Sequence, residues 1–313
     1  MQLGFIGLGR MGKNIVLHLL EQGIDVVAWN RSPEPRVEVA KAGALTPGTL
    51  AELVAAVKPP RNIWLMVTAG EVVDELLGQL IKKLSAGDLI IDGGNSFYED
   101  SIRRGKMLAK KGIHFMDVGT SGGIESARRG ACLMIGGAEQ DFRRIEPILK
   151  VAAAPEAYGL LGPLGAGHFA KMVHNAIEYG MMEAIAEGAA LLKNAPFKYD
   201  LREVFRVYSI RSIIESRLVS WTLAELKNDP ELSDISSTIG SAGGAGKAKG
   251  ETHWTVQLAK QMGIGVPVIE AALMVRENSE KDAEKSPAGF RNKVVSAMRG
   301  QFGQHPVKKS DKK

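Results

Sequence analysis

Two groups of residues in this 313-residue chain could do chemistry. The first is Gly7-Leu8-Gly9-Arg10-Met11-Gly12, a G-x-G-x-x-G turn between a strand-like apolar run and a helical one. Its first glycine permits the tight turn, its second lets backbone approach a pyrophosphate, and its third lets helix pack closely on strand. The helix N-terminus beyond it offers free N–H groups and a positive dipole end to phosphate. That chemistry is dinucleotide binding. The second group is Lys171, His174, Asn175 and Glu178, spaced i, i+3, i+4 and i+7. On a helix these share one face. An amine, an imidazole, an amide and a carboxylate beside Gly167 and Phe169 are not what a plain solvated face carries.

The next signal concerns which dinucleotide binds. The second strand-like run ends Trp29-Asn30-Arg31-Ser32. A carboxylate here holds the ribose hydroxyls of NAD and repels a 2′-phosphate. Neutral Asn30 followed by Arg31 and Ser32 instead offers a guanidinium and a hydroxyl to a phosphate, which favours NADP over NAD. The alternative is that Arg31 stacks on the adenine face and tolerates either. A second glycine-rich stretch, GSAGGAGKAKG at 240–250, imitates a P-loop but fails it. Ser241 falls where the first glycine belongs, Ala248 where the final hydroxyl belongs, and no apolar strand precedes it.

The elements needed to position these groups are legible as patterns. Strand-like runs occur at 2–7, 25–29, 62–67, 88–92, 114–118 and 131–135. Helical spacing lies between most of them, as in Ile15, Val16, Leu19 and Leu20 or the stretches 71–84 and 100–111. Alternation over about 160 residues predicts an α/β fold: an N-terminal Rossmann, doubly wound, mostly parallel sheet. From 167 to 194 the chain turns rich in Ala, Met, Ile and Glu. Helical patterns follow at 200–208, 213–227, 253–262 and 266–280, predicting an all-α C-terminal domain. The expected division is 1–165 for dinucleotide binding, 166–302 for a helical substrate and dimerisation domain, and 303–313 for a basic tail.

Composition narrows the partners. The net charge is +5, of which Lys308-Lys309-Ser310-Asp311-Lys312-Lys313 supplies three. Without a basic stripe or an RNA-binding motif, nucleic acid is not expected. The single cysteine, Cys132, cannot form an internal disulfide or a cysteine-rich metal site; it is expected in the core, and the chain in the reducing cytoplasm. No His/Cys/Asp cluster has metal-ligand spacing, so no metal is expected. No apolar run reaches membrane-span length, and the start reads as strand rather than signal peptide.

With these motifs in view, the chain resembles the 6-phosphogluconate dehydrogenase family, over nearly its whole length. The resemblance rests on GLGRMGKN, Asp92-Gly93-Gly94-Asn95-Ser96, Ser121-Gly122-Gly123, KMVHNAIEYG, Lys249-Gly250, Trp254-Thr255, and Arg299 followed by Phe302, Gly303 and His305. The length is similar to the short bacterial type. The resemblance implies oxidative decarboxylation of 6-phosphogluconate to ribulose 5-phosphate and CO2 with NADP or NAD, in the pentose phosphate pathway. It implies Lys171 as general base on the C3 hydroxyl, which a lysine can be only if burial or nearby positive charge lowers its pKa. Glu178 would protonate C1 of the enediol left by decarboxylation. Gly7, Leu8, Gly9, Arg10, Met11, Gly12, Asn30, Arg31, Ser32, Val67 and Asn95 fall at cofactor positions. Asn95, Ser121, Gly122, Gly123, His174 and Asn175 match positions holding the sugar acid's carboxylate and hydroxyls, while Tyr179, Lys249 and Arg276 match phosphate positions. Arg299 and His305 match a pair that reaches in from a neighbouring subunit, implying a homodimer or homotetramer.

Two positions depart from the family pattern. Glu251 stands where the long form has threonine in K-G-T-G, and a carboxylate turned inward there would repel phosphate; Thr252 follows it. Thr68 replaces a frequent lysine before Ala69-Gly70, removing one cation near the cofactor. Two other readings compete. A non-decarboxylating β-hydroxyacid dehydrogenase of the hydroxyisobutyrate type shares the lysine and fold, but His174 and Glu178 argue against it. A nucleotide-sensing or nucleic-acid-binding protein would bind cofactor without turnover, which Lys171 with Glu178 opposes.

Overall fold

The computed structural model describes residues 1–240, 250–303 and 307. The chain divides into two compact units, Met1–Met172 and Val173–Lys313. The first contains β1 (Gln2–Ile6), α1 (Arg10–Glu21), β2 (Asp25–Trp29), α2 (Glu34–Lys41), α3 (Leu50–Ala56), β3 (Asn62–Leu65), α4 (Glu71–Leu80), β4 (Leu89–Asp92) and α5 (Tyr98–Ala109). It continues with β5 (His114–Ser121), α6 (Gly123–Arg129), β6 (Ala131–Gly136), α7 (Glu139–Ala152) and β7 (Ala153–Gly162). Helix α8 (Ala166–Lys193) begins in this unit and runs on through the division.

The strands form one sheet in the order β2-β1-β3-β4-β5-β6-β7. Every pairing is parallel except β5 with β6. Parallel strands need crossovers, and helices on both faces leave the central strands buried on both sides. All four positions of β3 and of β4 are accordingly buried. On one face α1 presents Gly12, Ile15, Val16 and Leu19, a single helical stripe, to the cluster holding Leu3, Phe5 and Trp64. On the other, α4 presents Val73, Leu76, Leu77 and Leu80 to Ile63, Leu65 and Ile90. The sheet is the doubly wound, mostly parallel one that the alternation predicted. Its order reverses at β1, which lies between β2 and β3, and ligands of such sheets bind beyond the strand C-termini at that point.

Two local expectations are corrected, and one strand is added. Cys132 is exposed rather than in the core. It sits on β6 between buried Ala131 and Leu133, so the two-residue period turns it to the opposite side. Strand β7 carries a half-exposed pattern with register shifts, which is why no alternation revealed it. The stretch 213–227 is helical only from Arg217, because the Ser216 side chain caps the helix by accepting from Val219 N–H, leaving Ile213 in solvent.

The second unit is helical among its described residues: α9 (Leu201–Tyr208), α10 (Arg217–Asn228), α11 (Glu251–Met262), α12 (Pro267–Asn278) and α13 (Pro287–Gly303), with one 3-10 turn at Ser279–Lys281. Its core joins Met182, Ala186 and Ala189 of α8 to Phe205, Leu223, Leu226, Phe290, Val294 and Met298. Among the described residues no helix is long and apolar enough to cross a membrane.

Candidate active site

The glycine turn is shaped by two close approaches. Gly7 has φ 101°, and a Cβ there would lie 2.3 Å from the Met66 carbonyl oxygen at the end of β3. A Cβ on Gly12 would lie 2.0 Å from the Gly7 carbonyl oxygen, so α1 can start only where the strand-side turn meets bare backbone. Gly9 differs: nothing lies within 4 Å of its would-be Cβ, and it caps α1 without a side-chain hydrogen bond. Open space over the free N–H groups of a helix N-terminus fits a pyrophosphate. Asn30 fastens the turn to β2, its Oδ1 accepting from Leu8 N–H at 2.9 Å and its Nδ2 donating to the Ser32 carbonyl at 3.1 Å. Arg10, Arg31 and Ser32 are exposed, and Met11 is half-buried.

Further along the same strand ends lie Val67, half-buried after β3, and Asn95 after β4. Asn95 has φ 53°, a left-handed conformation that asparagine tolerates. This turns its amide onto β5, where Oδ1 accepts from Thr120 N–H at 2.9 Å and Nδ2 donates to the Thr120 carbonyl at 3.3 Å. Its side chain thus ties the β4 and β5 ends together. Ser121 ends β5, and Gly122 and Gly123, both with positive φ, turn the chain into α6.

Lys171 is 5 % exposed. Its stem passes β5 at Gly119, where an added Cβ would come within 2.4 Å of the lysine Cβ. Sequence patterns did not show what fixes the start of α8, and the structure assigns this to Asp117. From β5 its two carboxylate oxygens accept from Gly165 N–H and His168 N–H, both at 2.6 Å. Burial pushes this carboxyl up, opposed by the attraction of His168 and the two backbone donors. His168 is buried in turn, with Nδ1 2.7 Å from Ser101 Oγ. A buried Arg104 bridges Asp74 and Ser96 beneath the Asn95 turn. The signal available in sequence for Asp117 was a charged residue inside the apolar run of β5. Asp117→Asn places an amide donor against one of the two N–H groups, and loses that cap. We predict a loss of about 1–3 kcal/mol of stability, read from urea midpoints, together with reduced turnover; an unchanged midpoint would show that Asp117 does not hold α8.

In the second unit, α8 carries His174, Asn175, Glu178 and Tyr179. His174 Nδ1 lies 3.0 Å from Asn175 Oδ1 and 3.9 Å from Glu178 Oε2. Asn175 Nδ2 donates to Glu251 Oε2 on α11. The Arg276 guanidinium stacks on the Tyr179 ring, its Cζ 3.3 Å from the ring centre. Arg299 of α13 is also buried, and burial followed by repulsion from Arg276 pushes it down to about 10. Burial likewise lowers Arg276, with Tyr179 and Glu178 opposing. Glu183 lies below on α8; burial pushes it up to about 7 against the attraction of Arg291 and Arg276. Two buried guanidiniums that repel each other make a place for an anion. The resemblance has Arg299 arrive from a neighbouring subunit, whereas here it stands beside Arg276 of its own chain. Lys249, His305, the P-loop imitation from Ser241 onward and most of the tail lie outside the described residues. Thr252 is 1 % exposed and its hydroxyl has no hydrogen-bond partner among the described residues. No group of three His, Cys, Asp or Glu placed to hold a metal occurs among the described residues.

A doubly wound sheet with an open glycine turn at its reversal point is the frame of the dinucleotide-dependent dehydrogenases. Comparison with known proteins is more specific. Residues 2–162 match the family model described as the NAD binding domain of 6-phosphogluconate dehydrogenase, and residues 167–290 match that enzyme's C-terminal domain. An NAD(+)-dependent, decarboxylating 6-phosphogluconate dehydrogenase of Haloferax volcanii is 36% identical over 99% of this chain and 100% of its own length. An NADP(+)-dependent counterpart from Bacillus subtilis is also 36% identical, over 92% of this chain but 63% of its own. The solved Plasmodium falciparum 6-phosphogluconate dehydrogenase, studied as apo form and with NADP+ and 6-phosphogluconate, superposes with a TM-score of 0.78 at 31% identity, covering 95% of this chain and 70% of that one. A 3-hydroxyisobutyrate dehydrogenase of Mycobacterium tuberculosis, at 20% identity and TM-score 0.73 over 94% of this chain and 98% of its own, shares the fold. The chain belongs to the 6-phosphogluconate dehydrogenase family.

Proposed function

We propose that the chain oxidatively decarboxylates 6-phosphogluconate to ribulose 5-phosphate and CO2 in the cytoplasm. The observation that carries this reading is one helix, α8, bearing a buried lysine at 171 and the His174, Asn175, Glu178 and Tyr179 cluster beyond it. When bound, the nicotinamide dinucleotide supplies the hydride acceptor. Lys171 takes the proton of the C3 hydroxyl as that carbon is oxidised. The protonated lysine then polarises the C3 ketone, so the electron pair of the breaking C1–C2 bond is accepted as an enediol and the carboxylate leaves as CO2. Glu178 delivers a proton to the former C2, which becomes C1 of the ketopentose. Asn95, Ser121, Gly122, Gly123, His174 and Asn175 orient the sugar acid, and Tyr179, Arg276 and Arg299 hold its phosphate, with Lys249 and His305 proposed beside them. The repulsion between buried Arg276 and Arg299 supports that assignment, because a bound phosphate relieves it.

The cofactor-binding residues proposed are those of the turn 7–12, Asn30, Arg31, Ser32, Val67 and Asn95. Asn30 is committed to backbone and carries no charge, and Arg31 makes no ion pair among the described residues, which supports NADP over NAD. Arg31→Ala is expected to raise KM for NADP about 10-fold or more, the scale of one charged hydrogen bond, and to spare NAD; equal effects would show that the 2′-phosphate is not read there. A homodimer or homotetramer is proposed, supported by Leu191, Phe197, Ile210, Ile213 and Ile214, all exposed on the second unit. A steady-state assay with 6-phosphogluconate and each dinucleotide tests the reading. Reduction dependent on that substrate is expected, and absence of turnover with both dinucleotides overturns it.

A further inference from the structure

We infer that Glu251 is a positioning residue that fixes which nitrogen of His174 carries the proton, acting through Asn175. The inference rests on the proposed function only in taking His174 and Asn175 as substrate contacts. Glu251 opens α11 directly after Gly250, whose extended backbone caps the helix. Its Oε2 accepts a hydrogen bond from Asn175 Nδ2, and Asn175 Oδ1 lies 3.0 Å from His174 Nδ1. A carboxylate can only accept, so the amide must turn its NH2 to Glu251 and its oxygen to the imidazole. An amide oxygen can only accept as well, so His174 Nδ1 must be the donor. The proton is therefore on Nδ1, and a neutral ring that carries it there presents Nε2 as an acceptor. An unconstrained imidazole prefers the opposite tautomer, so this polarity has to be imposed.

The same Nδ1 lies 3.9 Å from Glu178 Oε2, so the imposed N–H also faces the carboxylate proposed as the acid. The relay Glu251–Asn175–His174 thus sets both the hydrogen-bond sense offered to substrate and the charge environment of Glu178. The first turn of α11 favours an ionised carboxylate, keeping Glu251 an acceptor. Threonine, which the long-form pattern has here, can donate or accept and would impose no direction. The departure that would have repelled phosphate is instead turned toward Asn175.

The test is tautomer-sensitive NMR of protein with 15N-labelled histidine, in which His174 is one of six histidines and is assigned by its loss in His174→Gln. Wild type is expected to show the Nδ1–H tautomer at His174. Glu251→Ala should convert it to Nε2–H, and Glu251→Gln, which keeps the shape but can flip its amide, should give a mixture. In kinetics, Glu251→Ala should lower kcat/KM for 6-phosphogluconate by about 10–100-fold, the scale of one charged hydrogen bond, without changing KM for the dinucleotide. Nε2–H in wild type, or an unchanged His174 spectrum in both variants, overturns the inference. The spectra need no turnover, so failure of the proposed reaction would leave this result readable.

Discussion

Replacing Lys171 by alanine is expected to lower kcat by about 10²–10⁴-fold, the usual contribution of a positioned acid–base group, while dinucleotide affinity stays unchanged. The separation follows from where the parts sit. The dinucleotide turn is built by Gly7, Gly9 and Gly12 between β1 and α1, held to β2 by Asn30 and to β3 by its contact with Met66. None of those contacts involves Lys171, whose stem is buried against β5 at Gly119. Lys171→Arg sharpens the test. It keeps a cation near the same place, but a guanidinium does not give up its proton in a protein, so it cannot take one from the C3 hydroxyl. Both variants should be inactive. Retention of more than roughly a few per cent of wild-type kcat, well above that acid–base range, would remove Lys171 from the role of base.

The second large effect is expected at Glu178. Glu178→Gln keeps the shape of the side chain and the nearby imidazole but has no proton to give to the enediol carbon that lost CO2. Turnover should fall by about 10²-fold or more, and the pattern matters more than the size. Oxidation and loss of CO2 precede protonation of the enediol, so the first turnover should still reduce the dinucleotide. A stopped-flow burst of reduced nicotinamide, stoichiometric with sites and followed by a slow steady state, is the expected trace. Loss of the burst together with the steady rate would place Glu178 at or before the oxidation step.

The two groups that first suggested chemistry differed in how much of their setting could be read. The glycine turn was legible with its surroundings, because tight turn, phosphate approach and helix packing each demand glycine at a set spacing. The doubly wound sheet was legible for a similar reason: strands such as Asn62–Leu65 and Leu89–Asp92 are buried on both faces and are apolar apart from one end residue each, Asn62 and Asp92. The face Lys171-His174-Asn175-Glu178 was legible as a spacing, but not the groups that hold it. Asp117 lies 51 residues from the His168 N–H it accepts from, and Glu251 76 from the asparagine it orients, distances no periodic pattern records. Helix α13 was missed because it buries Asn292, Lys293 and Arg299 along with its apolar side chains, which erases the stripe that marks an amphipathic helix. Arg276 had no distinctive local sequence, and its stacking on Tyr179 joins it to the cluster proposed to hold phosphate.

Oxidation at C3 followed by loss of C1 can be read with 6-phosphogluconate labelled at C1, measuring released CO2 against reduced dinucleotide in the same reaction. One equivalent of labelled CO2 for each reduced dinucleotide, with a ketopentose phosphate as the other product, is the predicted result. Reduced dinucleotide with the label retained in a six-carbon acid would contradict it, and would make this chain a non-decarboxylating β-hydroxyacid dehydrogenase.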